Sequence, residues 1–269
     1  MLYSNFMDSD LDIRFDGPLA SESPGAGGPR PVERQALCHK PSLFLASDLF
    51  APAHLRRRET IPSLSLRTVS STRSIVFCGE QLDQSDLDAF LLLLAKAQSL
   101  GGATGKGFRV HARELIPGRS KGGMSGSADR LLNCLFRLES GRIAVRAGRF
   151  SFSMQLLSKF LYDHETQEYV AYFDKNLQCA FMVGSLQQFV LERFSLGRDP
   201  LAKWLHALAW SLDEPLCATQ AMLRELSGYF LKVRRGPALR FEPRLERLAG
   251  LETIKIERLD SERILLSRA

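Results

Sequence analysis

Asp83, Asp86 and Asp88 stand within six residues of an otherwise basic chain, in the stretch "GEQLDQSDLDAFLLLLAKAQ". Carboxylates this dense serve acid–base chemistry or metal binding when a histidine or further ligands stand beside them. None stands near in sequence. The five histidines (His39, His54, His111, His164, His206) share no ligand spacing, and the five cysteines form no C-x-x-C pair. "GGATGKGF" fails as a phosphate loop, since Leu100 takes its first glycine position and Gly107 its Ser/Thr position. No G-x-S-x-G or H-E-x-x-H occurs. The sequence therefore supports no enzyme, no metal site and no cofactor. His206, in an apolar stretch, reads as a core residue. The acids read instead as a helix start: Asp83 as N-cap or first-turn acid, Asp86 and Asp88 in the first turns, where carboxylates favour the positive end of the dipole.

A second set of residues has the chemistry of nucleic-acid contact. After the Gly/Ser-rich "GRSKGGMSGS" comes "SADRLLNCLFRLES", with Leu131, Leu135 and Leu138 on one helical face. Ser125, Ser127, Arg130, Asn133 and Arg137 are then candidates to face DNA, Ser127 also as a cap. Arginine reads guanine and asparagine reads adenine through paired hydrogen bonds. "RIAVRAGRFSFSMQLL" alternates like a hairpin turning at Ala147-Gly148, and Arg142, Arg146 and Arg149 are its phosphate candidates. Near the C-terminus Phe241, Leu245 and Leu248 form an apolar stripe. Arg240, Arg244 and Arg247 form a basic stripe one residue away, preceded by Arg234 and Arg235.

Charge placement agrees with two polyanion contacts. Leu100–Gln155 holds ten Lys/Arg against three acids, and Gly228–Ala269 holds ten against six. The first sixty residues hold eight acids and seven bases. A solvated basic surface would look the same, so charge alone decides nothing.

These residues need elements to position them. The chain has 269 residues, 45% hydrophobic and 25% charged, which suits a globular protein of one or two domains. No apolar run is long enough to span a membrane, no signal peptide is evident, and dispersed cysteines suit a reducing compartment, so a cytoplasmic location is expected. Met1–Pro41 lacks periodicity and reads as disordered, and residues 42–74 read as a lead-in. Thereafter the order is helix, strand (Phe108–Val110), short helix (Ala112–Ile116), helix and hairpin, followed by strands around "DHETQE". It recurs as Ser185–Phe194, "DPLAKWLHALAWSL", a short helix ended by Gly228, a further helix and a closing hairpin. That is the order of a winged helix-turn-helix. The expected fold is α+β: an arm over 1–74 and two tandem winged-helix domains over 75–180 and 181–269.

Several blocks in the same order resemble the TrfA family of plasmid replication initiators, over roughly the last 220 residues. They are "GEQLDQSDLDAFLLLLAKAQSLG", "RLESGRIAVRAGRFSF" as the first wing, "DHETQEYVAYFDKNLQCAF", "LGRDPLAKWLHALAWSLDEP" and "LRELSG". The resemblance implies a protein that binds direct repeats (iterons) in an origin as a monomer, with dimers less active. It implies opening of an A+T-rich region and loading of the host helicase alongside the host initiator DnaA. It also implies a sliding-clamp peptide at "ASDLF", through Asp48, Leu49 and Phe50, although that peptide lacks its leading glutamine. Pro243 departs from the family pattern and predicts a late or kinked helix. A repressor that binds an operator as a dimer is the alternative on the same scaffold.

Overall fold

The computed structural model describes residues 42–45, 47–55, 57–69, 73–100, 107–115, 125–147, 150–173, 186–212, 214–228 and 240–269. The segment expected to be disordered, Met1–Pro41, lies outside them.

The helices in chain order are α1 (Ser42–Leu45), α2 (Gln84–Ser99), α3 (Ser125–Ser140), α4 (Leu186–Ser195), α5 (Pro200–Trp210), α6 (Gln220–Leu226) and α7 (Glu242–Ala249). The strands are β1 (Phe50–Ala51), β2 (Thr60–Ser65), β3 (Arg73–Glu80), β4 (Leu82–Asp83), β5 (Phe108–His111), β6 (Arg142–Ala147), β7 (Phe150–Gln155), β8 (Lys159–Asp163), β9 (Glu168–Tyr172), β10 (Leu216–Thr219), β11 (Ile254–Arg258) and β12 (Arg263–Arg268). This is the expected mixed α+β composition.

The acid-rich stretch does start a helix. Asp83 caps α2, its Oδ1 accepting from the Ser85 N–H at 2.8 Å, while Asp86 Oδ2 accepts from the Asp83 N–H at 2.8 Å. Such a reciprocal box satisfies two N–H groups that the helix geometry leaves open. The leucine run then covers more than one face. Leu87, Phe90, Leu91, Leu93 and Leu94 are all buried, so α2 is a central helix, packed against α3, α4 and α5.

Two three-stranded sheets share one topology. In β5-β9-β8 and in β10-β12-β11, a strand that follows a helix pairs with the second strand of a later hairpin. Between strand and hairpin lie a short helix (a 3-10 turn at Ala112–Leu115, or α6) and then α3 or α7. The strand order therefore repeats, with β8–β9 rather than the expected β6–β7 as the first hairpin. The β6–β7 hairpin, expected as the first wing, belongs elsewhere. It joins β3 and β2 in a four-stranded antiparallel sheet, β2-β3-β6-β7.

The lead-in is also more than an arm. Phe44, Leu45, Leu49, Phe50 and Leu66 are buried in one core cluster that continues through both duplicated units, and β2 is paired in the sheet. At the end of α6, Gly228 has φ +59, and a Cβ there would stand 2.9 Å from the Asp48 Cβ. Glycine alone takes that φ without strain and leaves the lead-in room.

In the second unit, α5 is buried along its length, capped by Asp199 and begun by Pro200. His206 is in the core as expected. Its ring stacks on Phe189 at 4.9 Å, Nε2 lies 3.2 Å from Glu192 Oε2, and Nδ1 is buried without a partner among the described residues. Burial pushes its pKa from 6.5 down to about 4, against the pull of Glu192. Burial alone would raise the Glu192 carboxyl, but hydrogen bonds from Thr253, Gln188, His206 and Trp210 hold it low. The unfolded histidine takes up its proton near 6.5 and the folded one near 4. The stability that His206 contributes is therefore complete above pH 6.5 and lost as pH falls towards 4. Between pH 7.5 and 4.5 the loss from this group is expected to be roughly 2–3 kcal/mol. Urea unfolding at both pH values should show it, and His206→Gln should remove most of that difference. An equal pH difference in the variant would refute the assignment.

Candidate nucleic-acid interface

Helix α3 carries the first candidate contacts. Leu131, Cys134, Leu135 and Leu138 turn inward, so Asp129, Arg130, Asn133 and Phe136 turn out. Arg130 and Asn133 are exposed one turn apart, Arg130 in the N-terminal half of the helix and Asn133 just past its middle. Ser125 and Ser127 lie in its first turn, and the helix begins two residues ahead of the expected cap.

Arg137 departs from the expectation. Its side chain is 11% exposed, and Nε and Nη2 donate to Asp86 Oδ1 at 3.0 and 2.7 Å. Arg58 grips the same acid row from the lead-in, reaching Asp86 Oδ2 at 2.8 Å and Asp83 Oδ2 at 2.7 Å. Burial, then the Asp83 carboxylate, push the Asp86 carboxyl above its ordinary value, against the pull of Arg58 and Arg137. A guanidinium forked onto a buried carboxylate is committed to the fold, and Arg137 is not on the exposed stripe.

The hairpin arginines are not beside that stripe either. Ile143 and Val145 of β6 are buried in the core that α3 covers, so alternation puts Arg142 and Arg146 on the sheet face turned away from it. Arg149 lies outside the described residues. The hairpin that holds the wing's place in the sheet is β8–β9. Its tip carries Asp163, Glu165 and Glu168, and Asp163 Oδ1 accepts from the Glu165 and Thr166 N–H groups. An acidic tip repels phosphate.

In the second unit Phe241, Leu245 and Leu248 are buried as expected. Helix α7 starts at Glu242, which places Pro243 in its first turn, where a missing N–H leaves no bond unmade. The helix starts late, and Pro243 does not break it. Arg240 is exposed at its entry. Arg244 Nε pairs with Asp199 Oδ2 at 2.9 Å, and Arg247 Nη2 donates to the Ser195 carbonyl at 2.9 Å. Both hold α7 against the α4–α5 turn while keeping partial exposure. Arg234 and Arg235 lie outside the described residues.

The third acid, Asp88, joins the two units. Its Oδ1 accepts from Arg193 Nε at 2.7 Å, and its Oδ2 pairs with Lys203. Arg193 is fully buried and also donates to Gln84 Oε1 at 2.7 Å and to the Lys203 carbonyl at 2.8 Å. Burial lowers the pKa of both cations, and Asp88 counters it. Spacing along the chain could not find Arg58, Arg193 or Lys203 as partners, because 25 to 115 residues separate them from their acids.

The expected clamp peptide is internal. Asp48, Leu49 and Phe50 are 1–2% exposed, and Phe50 pairs in β1 with Leu82 of β4. Side chains in the core cannot enter a partner's cleft, so the fold corrects this expectation. Among the described residues no group of His, Cys, Asp and Glu is placed to hold a metal ion, and no helix is long and apolar enough to cross a membrane.

No protein-family model matches the chain, and no curated protein matches it. Among solved structures it is similar to the selenomethionine crystal structure of domains 2 and 3 of RctB. The identity is 12% and the TM-score 0.54, over 86% of this chain and 98% of that one. A second crystal structure of RctB domains 2–3 aligns at 11% identity and a TM-score of 0.43, over 80% of this chain and 93% of that one. At this identity the likeness is one of fold, and it extends across both duplicated units.

Proposed function

We propose that the protein is a replication-initiator-like, non-enzymatic DNA-binding protein built from two winged-helix units. The observation that carries this reading is the duplicated strand order with α3 and α7 in equivalent places, α3 presenting Arg130 and Asn133 without partners among the described residues. In a helix-turn-helix, the second helix enters the major groove with its N-terminal half on base edges. The likeness to the RctB replication initiator domains and the sequence resemblance to the TrfA family both support an initiator over other DNA-binding roles.

In this reading each unit sets one helix on duplex DNA, and binding energy distorts the helix without breaking a bond. Direct repeats at an origin are the expected target. Opening of adjacent A+T-rich DNA and loading of the host helicase with DnaA are the expected consequences.

Footprinting on the DNA flanking the gene, at about 150 mM salt to suppress non-specific binding, tests it. Protection of several direct repeats in helical phase supports the initiator. One protected palindrome replaces it with the dimeric repressor, and unphased protection removes sequence reading altogether. Arg130→Ala or Asn133→Ala is expected to weaken binding to the protected sequence by about 1–3 kcal/mol, read by titration of a labelled duplex. Unchanged affinity in both variants would take α3 out of the groove.

A further inference from the structure

The outward face of the four-stranded sheet has a composition that the α3 site does not explain. Its rows are Ser74–Arg146–Ser151, Ser65–Val76–Ala144–Ser153 and Cys78–Arg142–Gln155. An open antiparallel face usually mixes charges of both signs. Here small and hydroxyl side chains surround two exposed arginines, which stand about 13 Å apart along the strand at ~3.3 Å per residue. Among the described residues neither has an ion-pair partner. Glu80, at the end of β3, pairs at 4.0 Å with Arg137 instead.

We infer that this face is a second duplex-binding surface, contacting phosphates through Arg142 and Arg146, with Ser74, Ser151 and Ser153 as hydroxyl donors. Several features select a duplex backbone. Within these three rows the charge is wholly positive, and small side chains let a rigid polyanion lie close. Serine hydroxyls and arginines are the groups that donate to phosphate oxygens. Single strands are held by stacking on aromatic rings, and none of the residues in these rows is aromatic. The rows offer no large apolar group for a protein partner. The face is turned away from the core on which α3 sits, so a duplex there is a different segment from the one α3 reads. One chain then holds two segments of DNA. This inference rests on the proposed function only in naming DNA as the polyanion.

The test uses the full chain, a biotinylated 30-base-pair duplex on beads, and a fluorescent duplex of unrelated sequence in solution. The wild type is expected to retain the fluorescent duplex on the beads. Arg142→Ala/Arg146→Ala should lose that retention, with an unchanged melting temperature because both arginines are exposed and neither side chain makes an ion pair or hydrogen bond among the described residues. The same double variant should bind the unrelated duplex with a salt slope about two units shallower. Arg130→Ala should leave retention intact, which separates this face from the α3 reading. If the wild type fails to retain the second duplex, or the double variant still retains it, the proposal is overturned. The second result would assign bridging to pairing of protein chains. A shallower slope with retention intact also overturns it, since the arginines would then touch the segment that α3 holds.

Discussion

Asp86→Ala is expected to lower folding stability by about 3–5 kcal/mol, the usual effect of removing one partner from a buried ion pair. The carboxylate is fully buried, and the two arginines on it are 12% and 11% exposed. Alanine leaves both guanidiniums largely desolvated, with Glu80 at 4.0 Å the one acid left to Arg137 among the described residues, beside the Cys134 thiol, and Asp83 left to Arg58. It also removes half of the capping box, whose loss adds to the same sign. Asp86→Asn keeps shape and the acceptor for the Asp83 N–H, so it should fall between wild type and alanine. Equilibrium urea unfolding measures all three. Glu257→Ala, which breaks an exposed pair with Lys255, is the control and should leave the midpoint in place. A shift for Asp86→Ala no larger than the control's would show that the acid row does not hold α3 and the lead-in to α2.

That row shows where sequence reasoning reaches and where it stops. Helix α2, its Asp83 cap, the strands around "DHETQE" and the buried stripe of α7 were legible because each depends on neighbours a few residues away, and local periodicity carries them. Pairing over long separations is different. The β6–β7 hairpin was recognisable as a hairpin, yet alternation cannot say which sheet it joins, and it joined β3 rather than β5. Its arginines consequently face away from α3. Arg137 had the spacing of a surface residue, and the acid that draws it inward is 51 residues earlier. The "SDLF" segment had the composition of a docking peptide, and the same apolar side chains served the protein's own core. A peptide motif and a core strand need the same residues, so burial alone separates them.

Arg193→Ala is the second large effect, expected at about 3–5 kcal/mol, and it should also change the form of unfolding. Arg193 is buried in α4 and donates to Asp88 and Gln84 on α2 and to the Lys203 carbonyl on α5. Alanine leaves Asp88 with Lys203 alone, takes away the donor to Gln84 Oε1, and opens a cavity between the first and second units. Arg193→Lys keeps the charge but cannot spread its donors in a planar fork, so it should recover little. The chain's two tryptophans, Trp204 and Trp210, both lie in α5, which makes their fluorescence a probe of the second unit, while far-ultraviolet circular dichroism reports on both units. In the wild type one core runs through both, so the two probes should give a single coincident urea transition. In Arg193→Ala the fluorescence transition should move to lower urea and separate from the dichroism curve, because the joint no longer ties α5 to α2. Coincident curves at the wild-type midpoint would mean that apolar contacts alone hold the units together. A large coincident shift would mean that the node stabilises the whole fold without serving as a joint.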